Sequence, residues 1–196
     1  MNKAVFLDRD GVINEIVFHE DVEVLDSPFN IRQVRIIKGA FEAIVTFNQL
    51  GYKVLLATNQ PGAAKGKMSL ARIEEVNQHI VNMASESGAQ IDHVYCCAHH
   101  PVGTPEGDPA LIKSCKCRKP RTGLLLAGID EYKIDIGLSF MVGDSISDVQ
   151  AGKAIGLKTI LVGGLKCDAR RLYEEKNCLP DSVFQDLDSF AQSLNS

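Results

Sequence analysis

Short apolar, β-branched runs alternate along this chain with stretches whose apolar positions recur at helical spacing. Lys3–Leu7, Lys53–Thr58, Asp92–Cys97, Leu138–Val142 and Lys158–Val162 read as buried strands. Between them, Ala40–Leu50, Ser69–Ser87, Thr122–Glu131 and Ser147–Ile155 read as helices. Gly51, Gly88 and Gly156 follow three of these helices as C-terminal caps, and Ser69 stands where an N-cap is needed. Strands alternating with helices imply right-handed crossovers and an α/β fold, a doubly wound parallel sheet covered on both faces. A helix from Asp168, a short Val183-Phe184 strand and a final amphipathic turn or two are expected to close the chain. Two connections look long and irregular: Glu15–Lys38 and the Gly/Pro-rich Pro101–Arg121. Loops of that length are usually functional.

The bulk properties narrow the class. A length of 196 residues suits one well-buried domain, here 1–196, and not two large ones. A net charge of −4 gives no reason to expect nucleic acid or an anionic membrane surface as a partner. No apolar run reaches the length of a membrane span, and the N-terminus lacks the pattern of a secretory signal. The six cysteines then suggest metal ligands or free thiols before disulfides. A cytoplasmic monomer is the expectation.

In a doubly wound sheet, ligands bind beyond the carboxyl ends of the strands. Asp8, Thr58, Cys97 and Asp144 all sit at or just past predicted strand ends. In Phe6-Leu7-Asp8-Arg9-Asp10-Gly11, strand alternation puts Asp8 and Asp10 on one side and turns Arg9 away. Two like charges held together are costly unless a cation or phosphoryl chemistry needs them. Three further pieces share the address: Thr58-Asn59-Gln60, Arg118-Lys119-Pro120, and Val142-Gly143-Asp144 running on to Asp148. Singly each has an ordinary explanation: Thr58 as a loop cap, Lys119 as a solvated charge, Asp148 as a first-turn helix acid. Four such pieces at one end of one sheet are harder to obtain by chance.

The cysteines form a second constellation. Cys97-Ala98-His99 and Cys115-Lys116-Cys117 offer soft thiolates and an imidazole, the donor set of a structural Zn²⁺, closing a loop over residues 96–118. Cys96 and His100 are adjacent alternatives. Cys96 falls inside the predicted strand, where a thiol acts as a small hydrophobe, so Cys97 and His99 are preferred. Cys167 and Cys178 have no partner spacing. A small buried-thiol cluster without metal is the plainer alternative.

Together the motifs resemble those of the haloacid dehalogenase-like superfamily of aspartate-nucleophile phosphatases. DRDGVIN, TNQPGAAKGK, CCAHHP…CKCRKP and VGDSISD are similar to its D-glycero-D-manno-heptose-1,7-bisphosphate phosphatase group, over about Lys3 to Gly163. Histidinol-phosphate phosphatases share the zinc loop. The resemblance implies a Rossmannoid domain and Mg²⁺-dependent hydrolysis of a heptose C7 phosphate ester through an aspartyl-phosphate. Asp8 would be the nucleophile and Asp10 the general acid and base. Mg²⁺ would rest on Asp8, the backbone carbonyl of Asp10, and Asp144. Thr58, Asn59, Gln60 and Lys119 would take phosphoryl oxygens, and Arg118 would add a fixed cation. Asp148 would orient Lys119 or a metal-bound water, with a direct Mg²⁺ contact as the lesser alternative. Zinc would hold the loop that presents Arg118 and Lys119, and Cys97 with His99 match the group's pattern.

No large cap domain is visible between the motifs, so the site is expected to be roofed only by loops. The chain departs from the heptose group over Glu15–Asp26, where an acidic segment replaces a short Gly-Tyr-containing one. His19 in this loop is expected to be solvated. Lys65 and Lys67 are candidates to hold a second phosphate, most of all Lys65. Histidinol-phosphate phosphatase is the nearest alternative. A non-catalytic zinc-stabilised module has no need for both Asp8 and Asp10, and a mutase would keep the acyl-phosphate but exclude water, usually with a cap.

Overall fold

The alternation within β1 (Lys3–Leu7) decides how the layers form. Val5 and Leu7 project to one side and Ala4 and Phe6 to the other, all fully buried, so the strand must be covered on both faces. The computed structural model describes residues 1–163 and 178–195. In it β4 (Tyr52–Asn59), β5 (His93–Cys97), β6 (Phe140–Gly143), β7 (Lys158–Val162) and β8 (Ser182–Phe184) join β1 in one sheet. The order is β5-β4-β1-β6-β7-β8, with every pairing parallel. Helices α1 (Ala40–Gln49), α2 (Leu70–Glu86) and α5 (Leu187–Ser193) pack Phe41, Ile44, Phe47, Ile80 and Phe190 against the Val5 and Leu7 face. Helices α3 (Gly123–Tyr132) and α4 (Ile146–Ala154) cover the other face, with Leu124, Leu125 and Ala151 against Phe6, Leu55 and Met141. Each fully buried Leu or Phe of these layers contributes about 1.5–3 kcal/mol.

The cap residues behave as their chemistry dictates. Gly51, Gly88 and Gly156 follow their helices at φ of +77°, +79° and +84°, the left-handed region that glycine enters without strain. Ser69 accepts from the Arg72 N–H at 3.2 Å and starts α2. The sixth strand begins two residues later than its apolar run suggests. Asp135 caps a 3₁₀ turn at Ile136–Leu138 by accepting from the Gly137 N–H, and this turn leaves Leu138 exposed.

The Glu15–Lys38 connection is not irregular throughout. It carries an antiparallel hairpin, β2 (Val17–His19) with β3 (Val24–Asp26), pairing Phe18 with Leu25. His19 is not solvated either: it is buried, stacks on Phe29 at 3.7 Å and donates from Nε2 to the Ser27 carbonyl at 2.9 Å. The start of the expected helix from Asp168, and Cys167, lie outside the described residues. No helix among the described residues is long and apolar enough to cross a membrane.

The strand order fixes where a site can form. From β1 the chain steps outward to β4 and β5, then returns to the other side of β1 for β6, β7 and β8. The order therefore switches between β1 and β6, and their carboxyl ends carry Asp8 and Asp144.

Candidate active site

Asp8 continues the ladder beyond β1, its N–H donating to the Val142 carbonyl of β6 at 2.9 Å. Asp144 follows β6 and lies against Gly11, where a Cβ would fall 2.2 Å from Asp144 Oδ2. Gly11 also has a φ of +78°, so two independent demands select glycine there. Gly143 meets the same limit from Asp148, whose Oδ2 would lie 2.3 Å from an added Cβ. The backbone has thus been thinned to let three carboxylates converge. Oxygens of Asp8, Asp144 and Asp148 lie within 4.8 Å of one another.

Lys119 supplies a cation to this group. Its side chain is fully buried, with Nζ 2.5 Å from Asp148 Oδ1 and 3.1 Å from Asp8 Oδ1. Burial works against the ammonium, yet Asp148 and Asp8 outweigh it and hold its pKa above the ordinary lysine value. The second oxygen of Asp148 accepts from the Ser145 N–H at 3.1 Å and from its hydroxyl at 2.6 Å, so this carboxylate is committed on both sides. Asp8 is different. Burial, with Asp148, Asp10 and Asp144 adding to it against the pull of Lys119, pushes Asp8 up to about 7. Burial and Asp148 raise Asp144 to about 6. Three acids against one lysine leave a net negative cluster of hard oxygen donors, the environment a divalent cation such as Mg²⁺ relieves.

Asp10 is held separately. Its Oδ1 accepts from Arg9 Nη2 at 2.8 Å and Asn14 Nδ2 at 2.9 Å, and its Oδ2 from Gln60 Nε2 at 2.6 Å. Arg9 does not turn away from Asp10 as strand alternation suggests. It is 1% exposed, and its guanidinium folds back on Asp10 while Nη1 donates to Asn77 of α2 at 2.7 Å. Burying a guanidinium requires such pairing. Gln60 Nε2 also donates to Thr58 Oγ1 at 2.8 Å, so its side chain links Asp10 to Thr58. The Gln60 N–H is occupied by the Cys97 carbonyl at 2.8 Å. Asn59 grips the Lys119 backbone at both ends, donating to its carbonyl at 3.1 Å and accepting from its N–H at 3.0 Å.

The cysteine loop meets the site through Lys119. Sγ of Cys97, Cys115 and Cys117 and a ring nitrogen of His99 lie within 4.8 Å of one another. Cys97 and Cys115 sulfurs are 3.6 Å apart, and Cys117 Sγ is 3.3 Å from His99 Nδ1. Cys117 Sγ is 3.0 Å from Cys97 Sγ and 3.2 Å from Cys115 Sγ. Tetrahedral zinc with bonds of about 2.3 Å would space its sulfurs by about 3.8 Å, so the donor set is that of zinc and Cys117 would move outward to hold it. The Arg118 N–H donates to Cys115 Sγ at 3.3 Å, one residue before the buried lysine. Cys96 points to the opposite face of β5, towards Asn77, and burial raises its thiol to about 11. Cys178 is buried against Val149 and Leu161.

The hairpin forms the roof. A cavity of about 240 Å³ is bounded by Asp8, Asp10, Asn59 and Asp144 below and by Ile16, Leu25, Asp26 and Ser27 above. Lys67 is paired with Asp26 and lies 5.8 Å from the Phe29 ring centre, so it straps the hairpin down. Lys65 is half-buried and unlike Lys67 has no carboxylate partner within ion-pair distance among the described residues. Burial and then the charges of Arg118 and Lys65 lower the His100 pKa, so both cations lie near that ring. Arg118 also lines, with Lys113 and Arg121, a basic cavity of about 330 Å³ beside the cysteine loop. Sequence reasoning missed Arg9, Asn14, Asn77 and the hairpin. Arg9 and Asn14 stand inside DRDGVIN and were open to inspection, whereas nothing local marks Asn77.

The HAD-hydrolase-like family model matches residues 116–190. The D-glycero-beta-D-manno-heptose-1,7-bisphosphate 7-phosphatase of Pasteurella multocida is 38% identical over 163 residues, 83% of this chain and 82% of that protein. The chain belongs to that family of haloacid dehalogenase-like phosphatases. The Escherichia coli K12 member of the heptose bisphosphate phosphatase family is 35% identical over 163 residues, 82% of this chain and 80% of its own. A crystal structure of the D,D-heptose 1,7-bisphosphate phosphatase from B. bronchiseptica, complexed with magnesium and phosphate, superposes with a TM-score of 0.77. That alignment covers 98% of both chains at 27% identity. The enzyme from Burkholderia thailandensis gives a TM-score of 0.65 at 26% identity, over 100% of this chain and 99% of that one. The described residues form the α/β fold that the sequence leads one to expect, a parallel sheet with a small hairpin and no cap domain.

Proposed function

We propose that this phosphatase removes the C7 phosphate of D-glycero-D-manno-heptose 1,7-bisphosphate with Mg²⁺, by way of an aspartyl-phosphate on Asp8. The observation that carries the reading is Asp8 at the switch point of the sheet, 3.1 Å from a fully buried lysine, in a chain of this family. Asp8, Asp144 and the backbone carbonyl of Asp10 would hold the ion. When bound it neutralises the repulsion between carboxylate and phosphate. Asp148 stays with Lys119 because both of its oxygens are already engaged.

Asp8 attacks phosphorus, and the ester bond to the C7 oxygen breaks as Asp10 delivers a proton to that oxygen. Asp10 then takes a proton from the water that attacks the aspartyl-phosphate, which frees Asp8 and inorganic phosphate. Lys119 and the Thr58 hydroxyl take phosphoryl oxygens and stabilise the charge spread over them. Gln60 and Asn59 serve through their neighbours, Gln60 by tying Thr58 to Asp10 and Asn59 by gripping the Lys119 backbone. The C1 phosphate, which is not cleaved, rests on Lys65 and Arg118. Cys97, His99, Cys115 and Cys117 would hold a structural Zn²⁺ with no open position, and so fix the loop that delivers Lys119. The enzyme acts as a single domain, 1–196, and as a cytoplasmic monomer.

Phosphate release from a panel containing the heptose bisphosphate, histidinol phosphate and simple sugar monophosphates, with and without Mg²⁺, tests this. The bisphosphate should show the highest kcat/KM, and only with Mg²⁺. A preference for histidinol phosphate would reassign the substrate, and Mg²⁺-independent release would refute the mechanism.

A further inference from the structure

Asp10 has to be a proton donor in one half of the reaction and an acceptor in the other, so its orientation matters more than that of a static ligand. Among the described residues all of its anchors come from side chains. Arg9 supplies Nη2 to both oxygens, at 2.8 and 3.0 Å, and Nε at 3.3 Å. Asn14 and Gln60 complete the set. An arginine adjacent in sequence to its partner has several rotamers that point elsewhere, and nothing in a one-residue separation selects this one. What selects it lies 68 positions along the chain. Asn77, buried on α2, accepts from Arg9 Nη1 at 2.7 Å and so turns the remaining donors of the planar fork onto Asp10. Asn77 is also an odd residue for its place, because Ile73, Val76, Ile80 and Ala84 on the same helix are apolar and buried in the core. A buried amide among them is costly unless it is bonded: its oxygen accepts from Arg9, and its side chain also hydrogen-bonds the Cys96 thiol.

We infer that Asn77, acting through Arg9, is a positioning residue for the acid–base function of Asp10. The inference rests on the phosphatase reading above. It makes a distinction that a merely structural amide does not. Protonation of the leaving oxygen is needed for a sugar alkoxide and hardly at all for p-nitrophenolate, which leaves unaided. kcat/KM reports the steps through departure of the alcohol. A mispositioned Asp10 should therefore damage turnover of the alkyl ester selectively.

The experiment compares kcat/KM for heptose 1,7-bisphosphate and p-nitrophenyl phosphate in wild type, Asn77→Leu, Asn77→Asp and Arg9→Lys, each with Mg²⁺. Asn77→Leu should lose about 10- to 100-fold on the sugar ester, the order expected when a catalytic group is misplaced by about 1 Å. It should stay within about threefold on the aryl ester. Asn77→Asp, which keeps an acceptor for Nη1, should recover most of the loss. Should Asn77→Leu fail to fold, Arg9→Lys, which keeps the charge and loses the fork, should show the same split. Equal losses on both substrates, or none on either, would overturn the inference while leaving the phosphatase reading intact. A wild type inactive on both would overturn the two together.

Discussion

Lys119→Met removes one charge and little volume from the centre of the site, and its consequences can be worked through. The ammonium is fully buried between Asp148 at 2.5 Å and Asp8 at 3.1 Å. Taking one partner from a buried pair costs about 3–5 kcal/mol, because the charge left behind keeps its desolvation penalty. Two features moderate this. Asp148 keeps two hydrogen bonds from Ser145, and Asp8, already pushed up to about 7, escapes its penalty by taking a proton. At pH 8, where that proton is scarce, metal-free Lys119→Met should be less stable than wild type by about 3 kcal/mol, with a smaller gap at pH 6. Adding Asp148→Asn should restore at least about 1 kcal/mol, since the two residues are in direct contact and their effects cannot add. Activity should not return: losing a donor to the phosphoryl oxygens costs about 10²–10³ in kcat. Urea unfolding of the metal-free single and double variants, beside phosphate release with Mg²⁺, reads both quantities. A single variant as stable as wild type, or a double variant no more stable than the single, would refute the reasoning.

Further expectations follow from the same geometry. The Asp8 pKa is raised from 3.8 to about 7, so the native state holds a proton that the unfolded state has released. Its contribution is complete below about pH 4 and fades as pH rises through 7, so metal-free stability should fall over that window. Asp8→Asn should flatten the fall and Mg²⁺ should reverse it, both readable as melting temperature against pH; a rising profile would contradict the sign. Cys115→Ala should lose bound zinc, measured by elemental analysis, and with it most activity, because the Cys115 sulfur anchors the Arg118 N–H. Unchanged zinc content would remove Cys115 from the metal site. Lys65→Ala should raise KM for the bisphosphate several-fold more than for a monophosphate analogue at similar kcat; equal effects would take Lys65 off the C1 phosphate.

Most of the fold and the chemical address of the site were readable in the chain, for physical reasons that also explain the gaps. Buried parallel strands leave unbroken apolar runs, and the polar residues that end them stand out, so Asp8, Thr58 and Asp144 could be placed at strand ends. The β2–β3 hairpin had no such signature. Its strands are only three residues long, the acids Glu20, Asp21 and Glu23 lie between them, and the turn runs through Glu23 at a φ of +51° with no glycine. Arg9 defeated the period-2 rule because a long side chain reaches back past the face its Cα–Cβ bond leaves. Asn77 could not be found at all. A polar residue on the buried stripe of an amphipathic helix is a weak mark, and its partner becomes visible only once α2 is packed under the sheet.

The account stands on Asp8 attacking one particular ester, and ³¹P NMR of heptose 1,7-bisphosphate during turnover tests this most directly. With Mg²⁺ the C7 phosphate resonance should disappear into inorganic phosphate while the C1 resonance persists. Asp8→Asn, folded as wild type is, should leave both resonances unchanged. Loss of the C1 resonance first, or turnover by Asp8→Asn at a rate near that of wild type, would contradict the account.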